Sequence, residues 1–306
     1  MAQPQIRIRP DTVLETRPTT ARTASRPLRC PGGIENALGQ IETELDRARR
    51  LSDQLLRRVR DLDAELALAE QVQRELLPAH LPQVAGARLQ SWYAPADRVS
   101  GDFYDVYRAD DRTIVMTIAD ATGHGVPAAL MSAFLKRSLR CQDGERGEAA
   151  RRPDEMLRRI NADLISLGAT QEQYVAAVCA TYDEPSRRIR VARGGAPAPV
   201  LLRQDGCVEP VNSDGILLGV VPSPEFQVAE YELGPGDVAL LWSDGLDNLL
   251  LGTGSGADPP AADWRVDVAA EGVTYALNAW RRRREVVQPS SWRADDITVL
   301  ALECVS

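Results

Sequence analysis

The sequence predicts an α+β layered domain preceded by a long coiled-coil helix. Two observations carry this. After about residue 80, short β-rich runs alternate with a few helical stretches, and neighbouring runs are joined as hairpins, the mark of antiparallel sheet with helices grouped apart. Before them, an uninterrupted heptad pattern runs from Ile34 to Leu76. The length agrees: 306 residues, 44% apolar, support one large core with an appendage.

Residues 1 to 33 carry Pro4, Pro10, Pro18, Pro27 and Pro31 among Arg and Thr without apolar periodicity, which reads as a disordered tail. Its six arginines against Asp11 and Glu15 make it +4, leaving −12 for the remainder of a chain whose total is −8. A solvated arm is the expectation. From Ile34, apolar residues recur at alternating steps of four and three through Leu38, Ile41, Leu45, Ala48, Ser52, Leu55, Val59, Leu62, Leu66, Ala69, Gln73 and Leu76; eleven of the thirteen positions are apolar, and Pro78 ends the run. A 3.5-residue period favours a two-stranded coiled coil over a lone amphipathic helix, whose stripe would be wider and drift. In a parallel pair Glu44 faces Arg49 and Arg58 faces Asp63 of the partner, while Glu65 opposite Glu70 repels. The reading is a homodimer through residues 34–76.

The rest, 78–306, holds strand candidates at Arg88 to Ala94, Phe103 to Arg108, Thr113 to Ala119, Tyr174 to Tyr182, Arg187 to Ala192, Val200 to Arg203, Phe226 to Leu233, Val238 to Trp242 and Ile297 to Leu302. Helix candidates are Pro127 to Arg140, Pro153 to Leu167 and Val266 to Arg284, and Gly252 to Asp263 reads as a flexible insertion.

Composition removes several classes of function. The five cysteines are scattered, without a CxxC pair or His at zinc-ligand spacing, which excludes zinc ribbons and thioredoxin-like chemistry. No apolar run approaches the roughly 18 residues of a membrane helix, and no secretory h-region opens the chain, so a cytoplasmic protein without a membrane span is expected. The acidic domain has no basic stripe with interleaved aromatics, against nucleic-acid binding. Lys136 is the sole lysine; the bias to arginine is chain-wide and identifies no site.

The chemistry lies in aspartates at strand ends. Asp102 opens a strand in SGDFYD, Asp120 closes one in TIADATGHG, Asp244 closes one in ALLWSDGL, and Asp295 and Asp296 open the last in ADDITVL. A single Asp beside Gly is an ordinary turn signal. Four strand-terminal copies gathered at one edge would repel unless a cation neutralised them. Hard oxygen donors without His or Cys select Mg²⁺ or Mn²⁺ over zinc. Two such ions about 3.5–4 Å apart lower the pKa of a shared water and clamp an in-line displacement at phosphorus, which implies phosphate-ester hydrolysis.

These motifs resemble the metal-dependent (PPM) Ser/Thr protein phosphatases, in the stage II sporulation protein E branch. That family writes GGDxYD, D-x-S-G-H-G before a helix of small residues, SDGL and DD-x-T. Here SGDFYD, DATGHGVPAALMSAFLK, SDGL and DDIT follow in the same order, and AEQVQRELLPAHLP (69 to 82) is similar to the family's lead-in helix. The resemblance covers roughly 69 to 306. It implies an α-β-β-α sandwich with two Mn²⁺ or Mg²⁺ ions at the edge between the sheets. By position, Asp120 becomes the bridging ligand, Asp102 contacts the metals partly through water, and the Ala121 carbonyl completes one shell. Asp244 and Asp295 hold the other side, and Asp296 fits the adjacent ligand position. Asp102 and Asp120 are the implied catalytic pair, with no side-chain nucleophile. The implied substrate is a phosphorylated protein, a small anti-sigma-factor antagonist in a partner-switching circuit.

This chain departs from the pattern at Ser100 for the first glycine of GGD, at Ala196 where histidine is common, and at Asp247-Asn248 after SDGL. His124 offers a general acid by its intrinsic pKa, but a structural turn before the helix is favoured, since the ions supply most of the electrostatic stabilisation. Arg137 and Arg140 read as a solvated helix face. The helix from Pro127 follows the Asp120 motif directly, so dimer geometry in 34–76 is expected to bias its pose and the metal site. Against the phosphatase stand an adaptor with the same fold and silent chemistry, which the full acidic set disfavours, and a coiled-coil scaffold, which explains only residues 34–76.

Overall fold

The computed structural model describes residues 32–123, 125–140, 151–168, 174–251, 268, 271–286 and 295–305. The tail up to residue 31, His124 and the 252–263 insertion lie outside the described residues. The chain divides after Val59 into two compact units.

Helix α1 spans Gly32–Leu76, roughly 68 Å at 1.5 Å per residue. Up to Val59 its seam residues Leu38, Ile41, Leu45 and Leu55 are exposed, as is the off-seam Leu51. In the second unit the seam continues exposed at Leu62, but Leu66, Ala69 and Leu76 are half-buried and Gln73 is buried. The last two heptads of the stripe therefore pack on the globular domain of their own chain, which explains the polar residue in an apolar seam: Gln73 is satisfied there by hydrogen bonds.

The domain contains strands β1 (Ala87–Ala94), β2 (Asp102–Arg108), β3 (Thr113–Ala121), β4 (Val175–Asp183), β5 (Arg188–Gly194), β6 (Val200–Leu202), β7 (Val208–Pro210), β8 (Ala229–Glu232), β9 (Val238–Trp242) and β10 (Ile297–Cys304). Its helices are α2 (Val126–Arg140), α3 (Pro153–Ser166), α4 (Asp244–Leu251) and α5 (Val273–Val286). One sheet has the order β1-β10-β9-β6-β7 and the other β2-β3-β4-β5-β8; every strand pair within them is antiparallel.

Alternation along the strands builds the layers. Tyr104, Val106, Met116, Ile118, Val178 and Ala180 of the second sheet face Leu201, Ala239, Leu241, Leu300 and Leu302 of the first, forming the inter-sheet core. The opposite face of the second sheet, with Phe103, Val115 and Cys179, is covered by Met131 and Leu135 of α2 and Leu157 and Ile160 of α3. The outer face of the first, with Trp242, Val299 and Ala301, is covered by Leu246 of α4 and Leu277 and Trp280 of α5. The result is the expected α-β-β-α sandwich. Ala196, at the position read as histidine in relatives, is buried in the inter-sheet core. Lys136 of α2 pairs at 3.3 Å with the fully buried Asp105 of β2, fixing α2 to the strand that begins with Asp102.

Two elements were not anticipated. The three-residue β7 is too short to show a period. Asp244, read as closing a strand, opens helix α4, where an acidic first turn suits the helix dipole. Phe226 to Leu233 contracts to Ala229–Glu232 as a strand, and α5 is described only from Val273.

Leu241 is fully buried between the sheets, whereas Tyr275 on α5 is 56% exposed. Urea unfolding should show Leu241→Ala destabilising by about 2–5 kcal/mol and Tyr275→Ala by no more than about 0.5 kcal/mol.

Candidate metal centre

Sheet register assembles the site. In the β2–β3 pair Asp102 stands directly opposite Asp120, so their Cα atoms are about 4.5–5.5 Å apart. Asp102 shares its face with Tyr104 and Val106, and Asp120 with Ile118 and Met116, residues of the inter-sheet core. Both carboxylates thus enter the gap between the sheets at one end. The other sheet answers at the same end: Ser243, one step from Trp242, turns into the gap, and Thr298 does so with Leu300 and Leu302.

Asp102 is 1% exposed. Its Oδ2 accepts hydrogen bonds from Ser243 Oγ at 2.7 Å and Thr298 Oγ1 at 2.5 Å, and the Thr298 N–H donates to Ser243 Oγ at 2.9 Å. These bonds tie the first sheet to the first residue of β2. Burial, then repulsion from Asp120, holds the Asp102 carboxyl well above the usual range, although both hydroxyl donors pull it down. The Ser100 hydroxyl, in place of the family glycine, accepts the Asp102 N–H at 3.0 Å.

Asp120 is pushed up to about 7 by burial and by repulsion from Asp244, Asp295 and Asp296. Asp244 is raised by burial and then by Asp295. Asp295 Oδ2 accepts from Asn248 Nδ2 at 3.0 Å; Asn248, a departure from the family pattern, orients an acidic side chain. Asp296 is engaged differently: its two oxygens accept the N–H groups of Ala96 at 2.6 Å and Gly101 at 2.8 Å. It therefore pins both ends of the loop leading into Asp102. Arg284 grips the start of that loop, donating to the carbonyls of Ala94 (2.6 Å) and Pro95 (2.5 Å), and lies within the field of Asp296, Asp102 and Asp295.

Two glycines permit these approaches. A Cβ on Gly101 would lie 2.7 Å from the Ala121 carbonyl oxygen, and one on Gly245 would lie 2.0 Å from that of Asp296. The Ala121 carbonyl is thereby held against the β2 entrance, beside Asp120.

The structure thus brings Asp102, Asp120, Asp244, Asp295 and Asp296 into one electrostatic neighbourhood. Among the described residues no group of three or more acidic, His or Cys side chains is drawn in to metal-ligand spacing. The donor set still fits hard divalent cations: it is all oxygen, and its members raise one another's pKa values as like charges do. Sequence reasoning missed Ser243, Thr298, Asn248, Gln73 and Arg284. The first two lay inside the quoted SDGL and DDIT motifs, where only the acids were read.

A carboxyl raised in the folded state binds a proton there that the unfolded chain has released. Its contribution to stability is full below the model-peptide value of 3.8 and is lost as pH rises through about 7. Metal-stripped protein should therefore lose melting temperature between about pH 4 and pH 7. The loss should be smaller in Asp120→Asn, which cannot ionise there; parallel melting curves for the two would contradict this.

A profile of the family described as Stage II sporulation protein E (SpoIIE) matches residues 110–305. The phosphoserine phosphatase RsbU of Bacillus subtilis (strain 168) is 25% identical over 187 residues, which cover 61% of this chain and 54% of RsbU. The phosphoserine phosphatase RsbP of the same organism is 25% identical over 187 residues, covering 60% of this chain and 45% of RsbP. The chain spans about half the length of these relatives. Among solved structures, the SiaA-PP2C domain of Pseudomonas aeruginosa superposes with a TM-score of 0.65 at 21% identity, covering 80% of this chain and 97% of that one. The PP2C phosphatase domain of SpoIIE from Bacillus subtilis, with a fragment of its regulatory domain, gives 0.57 at 18% identity, covering 72% and 64%. These likenesses establish the shared sandwich. With well over half of its length matched, including Asp120, Asp244 and the Asp295-Asp296 pair, the chain belongs to the SpoIIE family.

Proposed function

We propose that this chain is a metal-dependent protein phosphatase that hydrolyses phosphoserine or phosphothreonine. The observation that carries the reading is the gathering of Asp120, Asp244 and Asp295 at one end of the inter-sheet gap, where burial and then repulsion among them push Asp120 up to about 7. Two Mn²⁺ or Mg²⁺ ions bound there would supply a water of lowered pKa and neutralise the charge that develops at phosphorus. Asp120, the Ala121 carbonyl, Asp244 and Asp295 would hold them. Asp102, whose Oδ2 is locked by Ser243 and Thr298, would add its other oxygen to the same donor set. Asp296 would work chiefly by fixing Ala96 and Gly101, and so the approach to Asp102. No nucleophilic side chain is required, and the serine or threonine oxygen leaves. The substrate we favour is a small phosphorylated anti-sigma-factor antagonist in a cytoplasmic partner-switching circuit. Among the described residues no helix is long and apolar enough to cross a membrane. Hydrolysis of p-nitrophenyl phosphate should require Mn²⁺ or Mg²⁺ and fall by at least about 100-fold in Asp120→Asn. Equal release by parent and variant would remove the mechanism.

The same proposal divides the chain into a tail (1–33), a dimerising helix (34–77) and a catalytic domain (78–306). Support for a homodimer comes from the exposed seam of Leu38, Ile41, Leu45, Leu55, Val59 and Leu62. Support for a link to catalysis comes from Gln73. Its Nε2 donates to the Ser100 carbonyl at 2.7 Å and to Ser132 Oγ of α2 at 3.2 Å, while its Oε1 accepts the Ser100 N–H at 3.0 Å. Arg98 of the same loop reaches Asp63 of α1 through two hydrogen bonds of 2.8 and 2.9 Å. A change in the pose of α1 would then be felt at the residues flanking Asp102. Sedimentation of Leu55→Gln/Leu62→Gln should show dissociation, and its phosphatase rate at fixed Mn²⁺ should differ from that of the parent. Dissociation with an unchanged rate would separate the helix from catalysis.

A further inference from the structure

We infer a second anion site, remote from the metal centre, that takes a phosphate-class dianion. It is a cavity of about 220 Å³ lined by Arg112 of the turn joining β2 to β3, Arg151 just before α3, and Arg188 and Arg190 of β5. Thr113 lies opposite Asp183, which in turn lies opposite Arg188, so the three central strands of the second sheet meet there. Thr113 and Asp120 stand seven positions apart on β3, roughly 23 Å at 3.3 Å per residue. The cavity is thus at the far end of the sheet from the acidic site.

The charge balance distinguishes this cavity. Arg112 pairs with Asp183 at 3.2 Å and Arg151 with Asp110 at 2.9 Å. Arg188 and Arg190 share a single carboxylate, Glu230, at 3.0 and 2.5 Å. Among the described residues, these four guanidinium groups pair with three carboxylates, in a chain whose net charge is −8. Asp183 is further committed, accepting the N–H of Ser186 at 3.1 Å as well as its hydroxyl. Each guanidinium carries five N–H donors in a planar fork, far more than these acceptors consume. A tetrahedral dianion offers oxygens that such forks engage in bidentate pairs. A cavity of this size also admits more than a bare halide or carboxylate. The dianion has two sources, free inorganic phosphate or a phosphoryl group carried on a protein.

The test uses the full chain bearing Asp120→Asn in EDTA, so that the metal centre does not contribute, titrated calorimetrically with inorganic phosphate and with a phosphoserine peptide beside its unphosphorylated form. One-to-one saturable binding is expected. It should weaken at least tenfold in Arg188→Gln/Arg190→Gln and in Arg112→Gln, and fall steeply with added NaCl. Tighter binding of the phosphopeptide than of phosphate assigns the site to a protein-borne group; equal or weaker binding assigns it to the free anion. In the metal-loaded chain without Asp120→Asn, the arginine variants should hydrolyse p-nitrophenyl phosphate at the parent rate, which separates this site from the catalytic one. Should the double variant fail to fold, Arg112→Gln decides. No saturable binding to the parent, or undiminished binding in a folded arginine variant, overturns the inference.

Discussion

Mutual repulsion among buried carboxylates is the constraint around which this domain is organised. Asp102, Asp120 and Asp244 all sit above the ordinary carboxylate range, and each would relax by moving into water. They are kept in place because their backbones belong to strands and a helix whose remaining side chains fill three apolar layers. Burial of a single large aliphatic side chain contributes about 1.5–3 kcal/mol, and dozens are buried, so the fold can sustain a locally unfavourable cluster. Ser243 and Thr298 add local compensation by hydrogen-bonding the most deeply buried of the acids.

Much of this architecture was readable before any coordinates. Period-two runs located nine of the ten strands to within about three residues, and the strand-end aspartates pointed to one edge. What could not be read was partnership. Alternation states which face a side chain occupies, but not which residue of a distant strand will meet it. The roles of Ser243 and Thr298 depend on the first sheet stacking over β2, and that of Asn248 on the end of β10 lying beside α4. Asp296 was read as fitting the ligand position next to Asp295; that its two oxygens also accept the N–H groups of Ala96 and Gly101 is a partnership the motif does not state.

The helical seam shows the same limit in another form. A heptad pattern records that a stripe is covered without naming what covers it. Through Leu62 the stripe stays open, and from Leu66 the domain of the same chain takes it over. Gln73 is one of two polar residues in the thirteen-position seam. It is the residue that reads the loop before Asp102 and the side of α2 at once.

The pairing of Asp102 with Asp120 also bears on how this protein can fail. A slip of β2 by one position along β3 would turn Asp102 out of the gap and drive Phe103, now wholly enclosed beneath α2 and α3, toward the opposite face. Such a misfolded chain would lose its acidic cluster and turn sticky at the same moment. Loss of chemistry through misregister therefore advertises itself to proteases and chaperones, and a well-behaved but inert species cannot accumulate by that route.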